Sequence, residues 1–334
     1  MSFGNSFGNI FRITSFGESR GDALGVVIEG CPAGLELSED DFRIALTERK
    51  AKYFFETPRA EKDEPKIISG LFKNRTLGTP ITIIVENENK SEKNYETLKD
   101  IFRPGHADAN WEAKFGFRDF RGGGRSSGRE TLARVLAGTV AKKILIKKNI
   151  TVRAFPKEVA GLACKADGSF TDDILEKLHE VQSSGNSCGG IVACEVTGVP
   201  QGLGEPVFAK LDAELAKAIL SIGAIKGIEF GAGFAFAEMD GSTSNDIEKN
   251  YNGGILGGIS SSEKIYFNAC VKPVPSISLE QVALNKSGKK VSIKVNGQHD
   301  TCLVRRICPV VESMTAITIV DFILLAKTNR IECL

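Results

Sequence analysis

One short pattern occurs twice in this chain and constrains its architecture more than any other feature. Gly30-Cys31-Pro32-Ala33-Gly34-Leu35 and Gly198-Val199-Pro200-Gln201-Gly202-Leu203 both read G-x-P-x-G-L, about 170 residues apart. A run of strand character precedes each, ALGVVIE (23–29) in one case and GGIVACEV (189–196) in the other. Each also leads into a helical segment: SEDDFRIALTERK, with Ser38 as N-cap, and KLDAELAKAIL. Strand, turn and helix repeated in one order point to internal duplication rather than to two chance turns. Halves that share a core would make residues 1–334 a single domain with pseudo-twofold symmetry, its repeats spanning roughly 1–150 and 185–334.

The remaining segments fit an α+β chain. Strands are expected over FGNIFRITSF (7–16), KIISGLF, TPITIIVEN, EKIYFNACVKP and KVSIKV. GSTSND (241–246) and NGGILGGISSS (252–262) read as loops. The tail VVESMTAITIVDFILLAK reads as a long apolar helix, too mixed to span a membrane and apolar enough for a core or a subunit interface. The net charge of +1 offers no basic field for nucleic acid. Eight cysteines, at 31, 164, 188, 194, 270, 302, 308 and 333, form no CxxC pair, and no His/Cys cluster has metal-ligand spacing. With no secretory signal pattern, a reducing cytoplasm is the expected compartment.

Chemistry concentrates in RPGHADANWEAKFGFRDFRGGGRSSGRET, residues 103–131. Arg118, Arg121, Arg125 and Arg129 flank Gly122 to Gly124, and Ser127 with Glu130 reads as a capping box for the helix that follows. A glycine-rich, arginine-rich loop feeding a helix N-terminus is suited to an anion. The plain alternative is a solvated basic loop, but such a loop has little need of three glycines between arginines. Proton-transfer candidates are few. His106 and His299 sit in glycine-flanked loops near Asp108 and Asp300, whereas His179 falls on a charged helix face. No serine elbow, P-loop lysine or dinucleotide fingerprint is present. The residues alone lead to an enzyme that handles phosphorylated or carboxylated ligands by histidine acid–base chemistry.

Ten ordered motifs carry the reading further: FGES-x-G with EGxPAGL, TPRxEKDE, SG…TxGTPI, RPGHAD, GGGRSS-x-RET, GLGEP, KGIEFGAGF, GGILGGIS, KPxPSI, and a final HD…VESM. In these the chain resembles the chorismate synthase family over essentially its full length. The resemblance implies a β-α-β sandwich with internal pseudo-symmetry, a homotetramer, and reduced FMN as cofactor; the chain shows no room for a dedicated NADPH domain, so an external flavin reductase is the expected partner. It implies a lyase that removes phosphate and a ring proton from 5-enolpyruvylshikimate-3-phosphate. His106 would hydrogen-bond or protonate the flavin, and Asp300 would take the ring proton with the flavin. Ser19 and Ser127 would act as relays. Arg49, Arg59 and Arg129 match substrate contacts, and Arg121, Arg125, Ser126, Asn245, Lys272 and Ser276 match positions that line the flavin.

Departures cluster on the substrate side. Arg20 stands where the family has the histidine of GESHG, Gln298 replaces an arginine, Thr47 to Ala51 lacks the family's arginine run, and Asn268 replaces a frequent arginine. Arginine can hold a leaving phosphate by charge but is a poor proton donor. Three readings follow: a working member of the family, a paralogue that binds FMN and uses another cyclic substrate, or a non-catalytic flavin- or anion-binding relative.

Overall fold

A computed structural model describes residues 4–57, 61–88, 98–295 and 299–333. The first half contains strands β1 (Ser6–Phe7), β2 (Arg12–Phe16) and β3 (Ala23–Glu29), helix α1 (Glu39–Glu48), then β4 (Pro65–Ser69) and the small hairpin β5 (Leu71–Phe72) and β6 (Arg75–Thr76). It continues through β7 (Ile81–Glu86), β8 (Ile101–Phe102), α2 (Asp108–Phe115) and α3 (Thr131–Ile146). In the second half lie β9 (Thr151–Val159), β10 (Leu162–Ala163), α4 (Asp172–Ser183), β11 (Gly190–Thr197), α5 (Leu211–Leu220) and β12 (Ile225–Phe230). These are followed by α6 (Gly241–Ser244), the hairpin β13 (Ile255–Leu256) and β14 (Ile259–Ser260), β15 (Ile265–Val271), β16 (Glu280–Asn285), β17 (Lys290–Lys294) and α7 (Val304–Leu325).

Two antiparallel five-stranded sheets repeat one topology. The first runs β1-β2-β3-β7-β4 and the second β10-β9-β11-β15-β12. In each, two neighbouring strands are followed by the G-x-P-x-G-L turn and a helix, then by an edge strand and the strand that fills the gap, and finally by a long helix. Thus β2, β3, α1, β4, β7 and α3 correspond in order to β9, β11, α5, β12, β15 and α7. The second unit begins at β9, upstream of residue 185, because β9 is the partner strand that β11 needs. The expected single strand over 7–16 is two, since Gly8 turns the chain at φ 94° and lets β1 fold back on β2.

Helices fill the space between the sheets. α3 packs on β2 and β3, α7 packs on β9 and β11, and the two helices lie against each other. Both are apolar almost all round, which is tolerable only for a helix buried on every side. Leu132, Val135, Leu136 and Val140 of α3 and Val311, Ile317, Ile319 and Val320 of α7 are essentially inaccessible, and one cluster of buried side chains runs through both halves. The tail helix has a mean hydropathy of 1.8 in its most apolar window, enough by length and composition to cross a membrane, contrary to the reading from sequence. Its apolar surface is instead spent inside the protein, where 83% of that window is buried.

The end of α7 is tied to the start of the chain by Asp321. This buried carboxylate accepts the backbone N–H groups of Asn9, Ile10 and Phe11 at 2.7–2.9 Å and the Asn9 side-chain amide at 2.9 Å. Asp321→Ala strands those donors in the interior, so we expect a loss of about 3–5 kcal/mol, readable as a lower urea midpoint at unchanged slope.

A third, smaller sheet matters for function. It pairs β17, β16 and β8 over a separate cluster of Ala283, Ile293 and Val295. The loop after β8 carries His106, the segment before β16 carries Ser276, and the segment after β17 carries Asp300. Three distant stretches of sequence are thereby gathered at one end of the sandwich.

Candidate active site

That end opens into a cavity of about 900 Å3. Its wall includes Arg49, Lys50 and Lys52 from the end of α1 onward, Ser127, Gly128 and Arg129 from the turn before α3, and Ser276 from the segment before β16. His299, Asp300 and Arg306 complete it from the segment leading into α7 and its first turn.

The Asp300 carboxylate is fixed from two directions. Nη1 of Arg306 reaches its two oxygens at 2.7 and 3.0 Å, and the backbone N–H of Thr57 donates to it at 3.0 Å. Arg306 also donates through Nε to the carbonyl of Arg49 at 3.1 Å. Its neighbour Arg305 pairs with Glu56 at 2.6 Å and reaches the carbonyls of Glu48 and Lys50. Glu56 in turn accepts the N–H groups of Lys52 and Tyr53. The first turn of α7 therefore holds the whole segment that follows α1. Sequence reading missed Arg305 and Arg306; the only signal was a pair of charges at the head of an otherwise apolar helix.

Arg49 is a buried cation of the wall whose hydrogen-bonding capacity is not filled by the described residues. Its Nη2 donates to Thr131 Oγ1 at 2.7 Å, and its Nε has no partner among the described residues. Burial, and then repulsion from Arg306, bring its guanidinium down to about 10, still charged at neutral pH. A buried cation in that state is a receptor for an anionic oxygen.

The arginine-rich stretch contributes less charge to the cavity than its composition suggests. Arg129 lines the wall but is held by Glu61 at 2.7 Å, Asp63 at 2.8 Å and the Asn87 amide oxygen at 2.8 Å. Arg118 braces the carbonyls of Leu98, Lys99 and Ile101, and Arg121 pairs with Asp119. Arg125 donates to Asn5 and to the Ser15 hydroxyl and carbonyl, pinning the loop to β2. Gly122, Gly123 and Gly124 all take positive φ, so the triplet is needed to shape the loop. The expected capping box is only half formed. Ser127 accepts the Arg129 N–H at 3.3 Å, but Glu130 turns inward to Ser15 and Arg134.

His106 donates to or accepts from Ser276 Oγ through Nε2 at 2.7 Å, and so stands one hydrogen bond behind the wall. Lys272 closes the same corner by donating to the Gly105 carbonyl at 2.9 Å, and a Cβ at Gly105 would lie 2.8 Å from Pro275. Asp108 is not the relay for His106. Its burial opposes ionisation, but the fork of Arg103, at 2.8 Å to each oxygen, outweighs burial and holds the carboxyl below its usual range. Burial, with Arg103 adding to it, brings the His106 imidazole down to about 4, so the ring is neutral in this state. The unfolded chain binds this proton below pH 6.5 and the folded chain does not. Stability is thus complete above pH 6.5 and is lost as pH falls toward 4, by up to about 3 kcal/mol. His106→Gln should flatten that part of the acid-unfolding curve, measured by circular dichroism between pH 7 and 4.

Other expected site residues do not reach the wall. Ser19 is buried, its hydroxyl 3.5 Å from the carbonyls of Arg121 and Gly122. Arg20 is buried and does not line the cavity, and neither does the exposed Ser126 or the exposed Asn245. Asn268 lies on β15 among Lys157, Tyr266 and Glu229, so that departure from the family pattern is not at the cavity. Arg59 and Gln298 fall outside the described residues.

A cationic wall facing a fixed carboxylate, with a neutral histidine one hydrogen bond behind it, defines an enzyme site suited to acid–base chemistry on an anionic substrate. Residues 11–324 match the family model for chorismate synthase. A chorismate synthase of Treponema denticola is 47% identical, with 98% of this chain and 99% of that protein covered, and one of Lachnospira eligens is 46% identical over 98% and 97%. A solved crystal structure of chorismate synthase superposes with a TM-score of 0.76 at 26% identity, covering 96% of this chain and 94% of that one. The chain belongs to the chorismate synthase family.

Proposed function

We propose that this chain forms chorismate by eliminating phosphate and a ring proton from 5-enolpyruvylshikimate-3-phosphate, with reduced FMN bound in the same cavity. The observation that carries this reading is the meeting of Arg49 and Arg306 with the fixed carboxylate of Asp300. Arg49, with Lys50 and Lys52 at the wall, receives the phosphate and carboxylate groups of the substrate, and Arg129, itself held by Glu61 and Asp63, shapes the wall beside them. Asp300 accepts the ring proton, and Arg306 with the Thr57 N–H keeps its oxygens aimed. The Ser127 hydroxyl is available as a relay.

The residues fit a flavin. The cavity volume suits ligands of this size, Arg49 Nε has no partner among the described residues, and the Ser276–His106 pair offers a neutral donor–acceptor edge. Ser276, His106 and the Lys272 corner would hold the ring system. Bound there, reduced FMN supplies an electron-rich partner that assists departure of the leaving group without net redox change. An external reductase, a homotetrameric assembly and a cytoplasmic location complete the reading. The two halves, which repeat one topology around a shared core, are read as a single duplicated domain.

The test is anaerobic incubation of the protein with dithionite-reduced FMN and 5-enolpyruvylshikimate-3-phosphate. Chorismate and inorganic phosphate should appear in equal amounts. Flavin binding without turnover would favour a paralogue with another substrate, and failure to bind FMN at micromolar concentration would remove the flavoenzyme reading. Light scattering tests the tetramer, and a monomer would overturn it.

A further inference from the structure

We propose that His299 is the general acid that protonates the departing phosphate, an assignment that rests on the reading of the cavity just given. When the carbon–oxygen bond breaks, its electron pair stays on the phosphate oxygen. Unless a proton arrives there, the leaving group carries an additional negative charge. The cations of the wall can balance charge, but a guanidinium does not give up a proton, and a lysine ammonium is a weak acid at neutral pH. Asp300, bound by Arg306 and the Thr57 N–H, is arranged to take a proton.

Only three histidines exist in the chain. His179 stacks on Phe54 with ring centroids 3.7 Å apart, on an exposed face of α4, and the Nε2 of His106 is engaged by Ser276. His299 lines the cavity beside Asp300, and its Nε2 has no partner among the described residues. The backbone carbonyl of Val295 lies close enough to the ring to favour a proton on it. A carbonyl can only accept, so a neutral ring that holds its proton on Nδ1 toward Val295 leaves a lone pair at the unpartnered Nε2.

Burial keeps that ring neutral at rest. The Val295 carbonyl and Asp300 oppose this effect, while Arg103 and His106, from the loop after β8, lie close enough to add to it. A phosphate dianion beside the bare lone pair is repelled until Nε2 takes a proton from solvent. On cleavage this proton passes to the phosphate oxygen that receives the electron pair, leaving hydrogen phosphate and a neutral imidazole. Solvent thus supplies one proton through His299 and recovers one, the ring proton, through Asp300.

The first test needs no turnover. In protein labelled with 15N-histidine at pH 7, Nε2 of His299 should be unprotonated alone and protonated at saturating inorganic phosphate, with His179 unchanged. A His299 Nε2 that stays unprotonated, or inorganic phosphate that does not bind at millimolar concentration, overturns the assignment. The second test is kinetic. His299→Gln and His299→Ala should each lower kcat by about 10²-fold or more, with KM within about threefold, and added imidazole should partly restore the alanine variant. A loss below about threefold, or a loss that imidazole does not rescue, marks a structural role instead. If wild-type protein does not turn over 5-enolpyruvylshikimate-3-phosphate at all, the reaction assignment has failed, and the 15N result alone decides the role of His299 toward phosphate.

Discussion

Asp300→Asn lowers the rate of chorismate formation by about 10³-fold while leaving KM within a few-fold of wild type. The amide keeps the size of the side chain and still offers an oxygen to the Thr57 N–H and to Arg306, so the segment that enters α7 stays in position. What disappears is the cavity carboxylate held by Arg306, and with it the group placed to accept a ring proton; among the described residues the other lining carboxylates are engaged elsewhere, Glu61 and Asp63 by Arg129 and Glu56 by Arg305. Because Arg49, Lys50 and Lys52 are untouched, anion binding survives. Steady-state chorismate formation by the two proteins under anaerobic conditions, with matched thermal unfolding curves, checks the expectation. A variant within about tenfold of wild type would leave Asp300 as an anchor for Arg306 and no more.

The second large effect is on stability. Gly138 sits in the middle of α3 where that helix crosses α7, and a Cβ there would lie 2.2 Å from Cβ, 2.4 Å from Oγ and 2.5 Å from Cα of Ser313. Neither helix can withdraw, since α3 is backed by β2 and β3 and α7 by β9 and β11. We expect Gly138→Ala to cost about 3 kcal/mol, the upper part of the range for overpacking a core, and Gly138→Leu to prevent folding of a protein whose total stability is on the order of 5–15 kcal/mol. Adding Ser313→Gly to Gly138→Ala removes the Cβ and hydroxyl clashes but not the one with the backbone, so recovery should be partial. Ser313 also gives up its bond to the Pro309 carbonyl in that variant, a further modest loss. Urea unfolding of the two single variants and the double variant measures each difference. Additive costs would show that the two residues do not press on each other.

Much of the fold was legible because it depends on local pattern. The repeated G-x-P-x-G-L turn, the alternation in β2 and β7, and the acidic first turn of α1 behind Ser38 each state a geometry within a few residues. Ser38 does cap α1, its backbone N–H bonded to Asp41 at 2.8 Å. The strand over 7–16 and the capping box at Ser127 were misread for a common reason. In both places a local signal competes with a tertiary one: the fold-back of β1 on β2 at Gly8, and the pull of Ser15 and Arg134 on Glu130. α7 lies in the core, as its apolar surplus implied, although its hydropathy says only how strongly it avoids water and not what covers it.

For the site, the sequence by itself determined the kinds of chemistry available: cations for anions, few histidines, one loop shaped by three glycines, and a motif series that belongs to one family. It could not say which charges remain available. Arg118, Arg121, Arg125 and Arg306 look alike in sequence to Arg49, yet the first three are engaged by backbone carbonyls, Asp119 and Ser15 and Arg306 by Asp300, while Arg49 faces the cavity with its Nε unpartnered among the described residues. Whether a charge serves a ligand or the fold depends on which partners lie within about 3 Å, and those partners come from segments up to hundreds of residues away. The three-stranded sheet that gathers His106, Ser276 and Asp300, and the first turn of α7 that aims Asp300, exist only once the two halves have packed together. Residue types were set by the sequence, and their division between structure and chemistry was set by long-range contact.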